Sequence, residues 1–177
     1  MPDLSLEESL ELSKIYSVSG RLKGGLMKHR PFCAPHHSIT VAAMAGGGKK
    51  PKPGEISLAS HGVLFLDELP EFDRKAIELL RQPLEERKIT VSRVSARCDY
   101  PASFMLAAAM NPCPCGAYPD RNLCRCTQPQ IRKYRSRISR AILDRIDLFL
   151  WITPVSYEEL KEKGQRESSE VSGRWKS

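Results

Sequence analysis

Three stretches of this chain, Val63 to Leu66, Phe104 to Met110 and Leu148 to Ile152, are apolar without a break. A strand with one face in water alternates apolar and polar residues, whereas a continuous apolar run of this length reads as a strand buried on both faces, as in a parallel sheet covered by helices. Between the first two runs, Ile77, Leu80 and Leu84 recur at helical spacing behind Asp73 in the N-cap place, with Pro83 straining or ending the helix. Ile89-Thr90-Val91 and the residues before Tyr100 read as a hairpin. Strand, helix, hairpin, strand, helix, strand is an α/β layout with a mostly parallel sheet, whose ligands gather at the carboxyl ends of the strands.

With 177 residues, 41% of them hydrophobic and 28% charged, the chain has material for one ordinary core and is expected to form one globular domain. No apolar stretch approaches the roughly 20 residues that cross a bilayer, and Met1-Pro2-Asp3-Leu4-Ser5 lacks the basic-then-apolar layout of a signal. A cytoplasmic protein with no membrane partner is the expectation. The net charge of +7 favours a polyanionic partner, weakly, because the basic residues are spread over several segments. Ser5-Leu6-Glu7-Glu8 has the form of a capping box, opening an amphipathic helix with Leu6, Leu10, Leu12 and Ile15 that ends before Gly20. From Arg30 to Gly54, four prolines and three consecutive glycines argue for a long surface insertion without long regular elements. Residues 161–177, rich in Ser, Glu and Lys, are expected to be a disordered tail.

The first apolar run ends directly in Asp67-Glu68, a Walker B pattern. In phosphoryl transfer one such carboxylate helps to hold Mg²⁺ and its neighbour orients the attacking water, so Asp67 suits the metal and Glu68 the water. Asn111, which ends the second run, can hydrogen-bond both that water and the γ-phosphate of ATP. The plainer alternatives are a strand end with solvated or salt-bridged acids and a turn asparagine before Pro112. No G-x-x-x-x-G-K-[ST] loop accompanies the acids: Gly46-Gly47-Gly48-Lys49-Lys50 has Ala43 where the first glycine belongs and Lys50 where the Mg²⁺-binding hydroxyl belongs.

Four of the six cysteines, Cys113, Cys115, Cys124 and Cys126, fall in one window as two C-x-C pairs, while Cys33 and Cys98 stand alone. Clustered thiols in a reducing compartment favour a metal, and four thiolates can close a tetrahedral Zn²⁺ site; free thiols or adventitious disulfides remain the alternatives. Arg132, Lys133, Arg135, Arg137 and Arg140, with Tyr134 among them, form a basic run suited to a nucleic-acid backbone or to a solvated helix face. Arg145 precedes the third apolar run, where it could reach a neighbouring subunit's nucleotide or pair with Asp144 or Asp147. His36-His37 receives no catalytic role, since adjacent histidines are expected to diverge and no third ligand is evident.

Arg30-Pro31-Phe32, Ala34-Pro35-His36-His37-Ser38, Pro53-Gly54-Glu55-Ile56-Ser57-Leu58-Ala59, Gly62 to Phe72, Leu80-Arg81-Gln82-Pro83-Leu84-Glu85 and Ala109-Met110-Asn111-Pro112-Cys113-Pro114-Cys115-Gly116 together resemble the magnesium-chelatase-like AAA+ ATPases of the ComM/YifB type. Tyr134 to Ser139 and Leu143 to Leu148 continue the likeness, so it covers nearly all of residues 3–160. The resemblance implies a partial AAA+ core over residues 1–160, with Asp67 and Glu68 as Walker B, Asn111 as sensor 1 and Arg145 as an arginine finger acting across a subunit interface. It also implies ATP and Mg²⁺ as ligands, a homo-hexameric ring, and DNA branch migration during uptake of transforming DNA. The segment Lys88 to Tyr100 resembles the pre-sensor 1 hairpin insertion, and Arg30 to Gly54 the helix 2 insertion. The family's Lon-like domain, phosphate loop and helical lid have no counterpart here, so the chain reads as a fragment that hydrolyses ATP negligibly by itself. Two other readings stay open: a non-catalytic DNA-binding or ring-modulating module, and the ATPase subunit of a magnesium chelatase.

Overall fold

The computed structural model describes residues 1–48, 51–93 and 96–152. The chain divides into two compact units, Met1–Asp147 and Leu148–Ser177, and the architecture below is that of the first. The expected tail, 161–177, lies outside the described residues.

The first helix, α1 (Leu6–Ser19), begins on the capping box: the Ser5 hydroxyl accepts the Glu8 amide at 3.1 Å and the Glu8 carboxylate accepts the Ser5 amide at 2.8 Å. Two amides that a helix start leaves without partners are thereby satisfied. Gly20 ends the helix at φ 77°, a left-handed conformation that costs glycine nothing. Leu12 and Ile15 are buried as expected, but Leu6 and Leu10 are exposed, so the apolar stripe is narrower than its leucines imply.

Three parallel strands form the central sheet in the order β1 (Phe32–Cys33), β4 (Val63–Leu66), β7 (Met105–Ala108). Register runs from Val63↔Met105 to Leu66↔Ala108 on one side of β4, with Phe32↔Val63 and Cys33↔Leu64 on the other. Leu64 and Leu66 are fully buried. Val63 and Phe65 are half-buried, so β4 is covered completely on one face only, with Phe32 stacked beside Phe65 at 6.0 Å between ring centres.

Strand β1 corrects the expectation that Arg30 to Gly54 is a surface insertion throughout. The segment's first residues join the sheet, and Met44 on the short helix α2 (Val41–Ala45) is fully buried. The remainder is a ribbon of β2 (Gly46–Gly47) against β3 (Lys52–Pro53), leading into helix α3 (Glu55–Leu58). There the backbones approach so closely that a Cβ on Gly54 would lie 2.3 Å from the Gly46 amide nitrogen. Only glycine tolerates that approach.

After β4, a 3-10 turn at Leu69–Glu71 leads to α4 (Arg74–Glu78), capped by Asp73 accepting the Lys75 amide at 2.7 Å, and then to α5 (Arg81–Glu86). Pro83 therefore splits the expected single helix in two, sitting in the first turn of α5 where an amide would have no helical partner anyway. Ile77 and Leu80 fill the core as predicted. The hairpin is present as β5 (Lys88–Arg93) paired antiparallel with β6 (Ala96–Pro101), burying Ile89 and Val91. Two helices close the unit, α6 (Gln128–Arg135) and α7 (Arg140–Leu143), the latter burying Ile142.

The third apolar run does not form the expected buried strand. Leu148 to Ile152 carry no strand structure, and Trp151, at 61% exposure, is the least exposed of them. An apolar run becomes a buried parallel strand only where a neighbour pairs with it and both faces are covered.

Candidate catalytic edge and thiol cluster

All three parallel strands deliver polar side chains to the same carboxyl edge. Beyond the paired residues, β4 and β7 stay zipped, with the Ala109 amide donating to the Leu66 carbonyl at 2.9 Å and the Leu69 amide to the Ala109 carbonyl at 3.0 Å. Asp67 and Glu68 thus leave the sheet beside the segment that carries Asn111, and all three side chains are exposed. Glu68 adopts a left-handed backbone, φ 53° and ψ 45°, which costs a non-glycine residue about 1–2 kcal/mol. The Asp67 carboxylate, accepting the Glu68 amide at 2.9 Å, and the Glu68 carbonyl, accepting the Glu71 amide at 2.7 Å, hold that conformation. Strain kept in this way characterises functional positions.

His37, given no role from sequence, stands at this edge. Its Nδ1 lies 3.2 Å from a Glu68 carboxylate oxygen, and its ring meets the edge of Phe72 at 6.4 Å. The two histidines do not diverge: their ring centres are 4.0 Å apart, with His36 tied to the Ser38 hydroxyl at 2.9 Å. The missed signal was β1, a strand of two residues; His37 follows its end by four positions, as Asn111 follows the end of β7 by three. Tyr134 of α6, read from sequence as part of the basic run, turns inward instead. It is buried, and its phenol is pushed up by burial first and then by the Glu71 carboxylate, with Glu68 adding to the shift and Arg137 and the Asn111 amide opposing it.

Arg145 is turned inward. It pairs with Glu85 and donates to the Ala141 carbonyl, while its Nε is buried without a partner. The partner is thus neither Asp144 nor Asp147, the two named from sequence; Asp144 faces Arg140 at 3.8 Å. Cavities of about 350 Å³, among Arg21, Gly46 to Gly48 and Glu55, and about 530 Å³, beside Asp73 to Lys75 and Leu79, lie elsewhere. Asp67, Glu68 and Asn111 line neither of them.

Past Asn111 the loop folds its four cysteines together. All four sulfurs lie within 4.8 Å of one another, with Cys113 3.4 Å from Cys115 and 3.7 Å from Cys124, and Cys115 3.7 Å from Cys124. A tetrahedron with metal–sulfur bonds of about 2.3 Å has sulfur–sulfur edges of about 3.8 Å, so the set is sized for one thiophilic cation. Donation from the Ala117 amide, then from the Cys113 and Cys126 thiols, holds Cys115 down at about 6, in the range where a thiolate ligand forms readily. The group can bind a metal. Cys113 and Cys124 are buried with Ile131 of α6 in a small cluster separate from the main core.

The basic run is divided in its duties. Arg132 and Lys133 are exposed on α6, Arg135 and Arg121 both lie over the Tyr118 ring at 5.4 and 5.1 Å, and Arg137 bonds to Glu71 at 2.8 Å. No helix among the described residues is long and apolar enough to cross a membrane.

Residues 1–160 match the Mg_chelatase family, magnesium chelatase, subunit ChlI. The chain is 52% identical over 153 residues to the uncharacterized protein YifB of Escherichia coli K12, covering 86% of this chain and 30% of that protein. It is 46% identical over 167 residues to competence protein ComM of Haemophilus influenzae, covering 94% of this chain and 33% of ComM. The uncharacterized protein Rv2897c of Mycobacterium tuberculosis is 47% identical over 151 residues, again 30% of its length. The chain therefore spans about a third of the length of these curated relatives, and, with the family match running from Met1 to residue 160, it belongs to the magnesium chelatase, subunit ChlI family and is of the ComM/YifB type.

Proposed function

We propose that this chain is the central part of an ATP-hydrolysing module that, in the complete protein, works in a homo-hexameric ring to remodel DNA in the cytoplasm. The observation that carries the reading is the convergence of Asp67, Glu68 and Asn111 at one edge of adjacent parallel strands. Asp67 spends one oxygen on the Glu68 amide and keeps the other for the magnesium shell of a bound nucleotide. Magnesium, when bound, neutralises charge on the phosphates. Glu68 accepts a proton from the attacking water, and the Asn111 carboxamide orients that water against the γ-phosphate. To serve a neighbouring subunit's nucleotide, Arg145 has to leave Glu85. Zn²⁺ is the ion that suits four thiolates at this spacing, in a closed structural site.

Without the cradle that a phosphate-binding loop supplies, the 177-residue chain alone should turn over ATP at background rate. In a complete protein that includes such a loop, Glu68→Gln should lower turnover by about 100-fold or more while nucleotide binding persists. Unchanged turnover would remove Glu68 from the chemistry, and readily measured, Glu68-dependent turnover by the isolated chain would show the loop to be dispensable. The exposed Arg132 and Lys133 favour a second reading, a DNA-binding module without catalysis. Salt-dependent binding to branched DNA, indifferent to ATP, would support it.

A further inference from the structure

We infer that the four-thiolate metal site is a positioning device for Asn111, so that binding the metal builds part of the phosphate-facing edge. The inference rests on the zinc reading above and adds to it.

Asn111 belongs to the sheet by sequence, but the thiol loop and α6 hold it. Its carboxamide lies over the turn closed by the Gly116 amide on the Cys113 carbonyl at 3.0 Å: a Cβ on Gly116 would stand 3.9 Å from Asn111 Cγ and Oδ1. Pro112, the next residue, receives two hydrogen bonds on its carbonyl from Arg135, at 3.2 and 3.0 Å. Tyr134, adjacent to Arg135, is buried. Asn111 and Pro112 are therefore clamped between the Cys113–Gly116 turn and the last turn of α6.

The metal would fix both jaws. Cys113 and Cys115 belong to the turn, and Cys126 immediately precedes Thr127, the residue that caps α6 and forms a capping box with Gln130. A cation joining the two pairs sets where the chain re-enters as α6, and hence where Arg135 meets the Pro112 carbonyl. The apolar alternative is too small to do this, because the buried cluster here consists of Cys113, Cys124 and Ile131, two of them ligands. Structural metal sites of this kind supply folding free energy that such a loop lacks.

Hydrogen exchange on the 177-residue chain tests this, with thiols kept reduced and zinc first loaded and then removed by a chelator. On removal, exchange of the Asn111 and Tyr134 amides should speed up by at least about tenfold, while Leu64 in β4 and Val91 in β5 change by less than about twofold. Reloading with Cd²⁺ should restore the slow exchange. Arg135→Ala in the zinc-loaded chain should loosen Asn111 while retaining one equivalent of metal, and Arg135→Lys should restore it only partly. If zinc loads stoichiometrically but Asn111 exchanges at the same rate with and without it, the site is a local staple and the positioning role is overturned. Acceleration of Leu64 and Val91 equal to that of Asn111 overturns it too, since the metal would then be holding the whole fold. Less than roughly a tenth of an equivalent bound, with all four thiols titrating freely, ends the zinc reading itself.

Discussion

The strand edge and the thiol cluster adjoin at Asn111, two residues before Cys113, yet they are held by opposite means. Asp67 and Glu68 emerge from β4, whose Leu64 and Leu66 are fully buried in a core that also takes in Ile56, Leu58, Ile77 and Leu80. Two of the four cysteines, Cys113 and Cys124, share a small buried cluster with Ile131, and all four sulfurs gather within 4.8 Å of one another. One region exposes reactive groups on a platform that would stand without them; in the other, the reactive groups are the platform. Substitution should therefore separate the two, with a ligand change acting locally and a core change acting on everything.

The largest effect is expected for Cys113→Ser. It removes a fully buried ligand, so metal content, measured on the purified chain, should fall from one equivalent to less than about a tenth, while β4 amides keep their exchange protection. Loss of that protection would erase the contrast. Next, Leu66→Ala opens a cavity beneath the acids and should lower stability to urea by about 2–5 kcal/mol without altering the metal bound per folded chain.

Arg30→Ala should cost about 1.5–3 kcal/mol. Its guanidinium ties the carbonyls of Pro2, Asp3 and His61 to the Glu8 carboxylate at 2.9 Å, joining the start of α1 to the start of β4. The Ser5 amide and then Arg30 hold Glu8 below its ordinary 4.5. Because that folded-state value is depressed, the stabilisation is complete above 4.5 and fades as pH falls through the lower value, which a pH series of melting temperatures would reveal. His37→Ala is the smallest in stability, within about 1 kcal/mol, since the ring is partly exposed, pairs with an exposed carboxylate and meets the core only at Phe72. It sharpens the comparison by separating the edge's function from its platform: in the complete protein, turnover should change while the melting temperature does not.

Several elements could be read from the chain because their causes are local. The capping box of α1, the Asp73 cap and the presence of a hairpin depend on residues within a few positions of one another, and each appears as read. The continuous run before Asp67 likewise marked the central strand. Strand β1 escaped notice because two residues among prolines carry no periodicity, and with it went the placement of His37, which depends on where β1 ends. Leu148 to Ile152 misled for the converse reason: a run can be apolar enough for a buried strand and still lack one, since the partner strand is not encoded in the run.

By itself the amino-acid sequence determined which groups are available: acids at the end of an apolar strand, an asparagine after the next, two cysteine pairs, a capped first helix. Those follow from side-chain chemistry and from backbone preferences that act over a turn or a strand. Tertiary structure alone decided that His37 meets Glu68, that Arg145 answers to Glu85 across sixty residues, and that two C-x-C pairs close to within 4.8 Å. Such meetings depend on the register of parallel strands and on where a returning helix docks, and both are settled by burial of the whole core rather than by any segment alone.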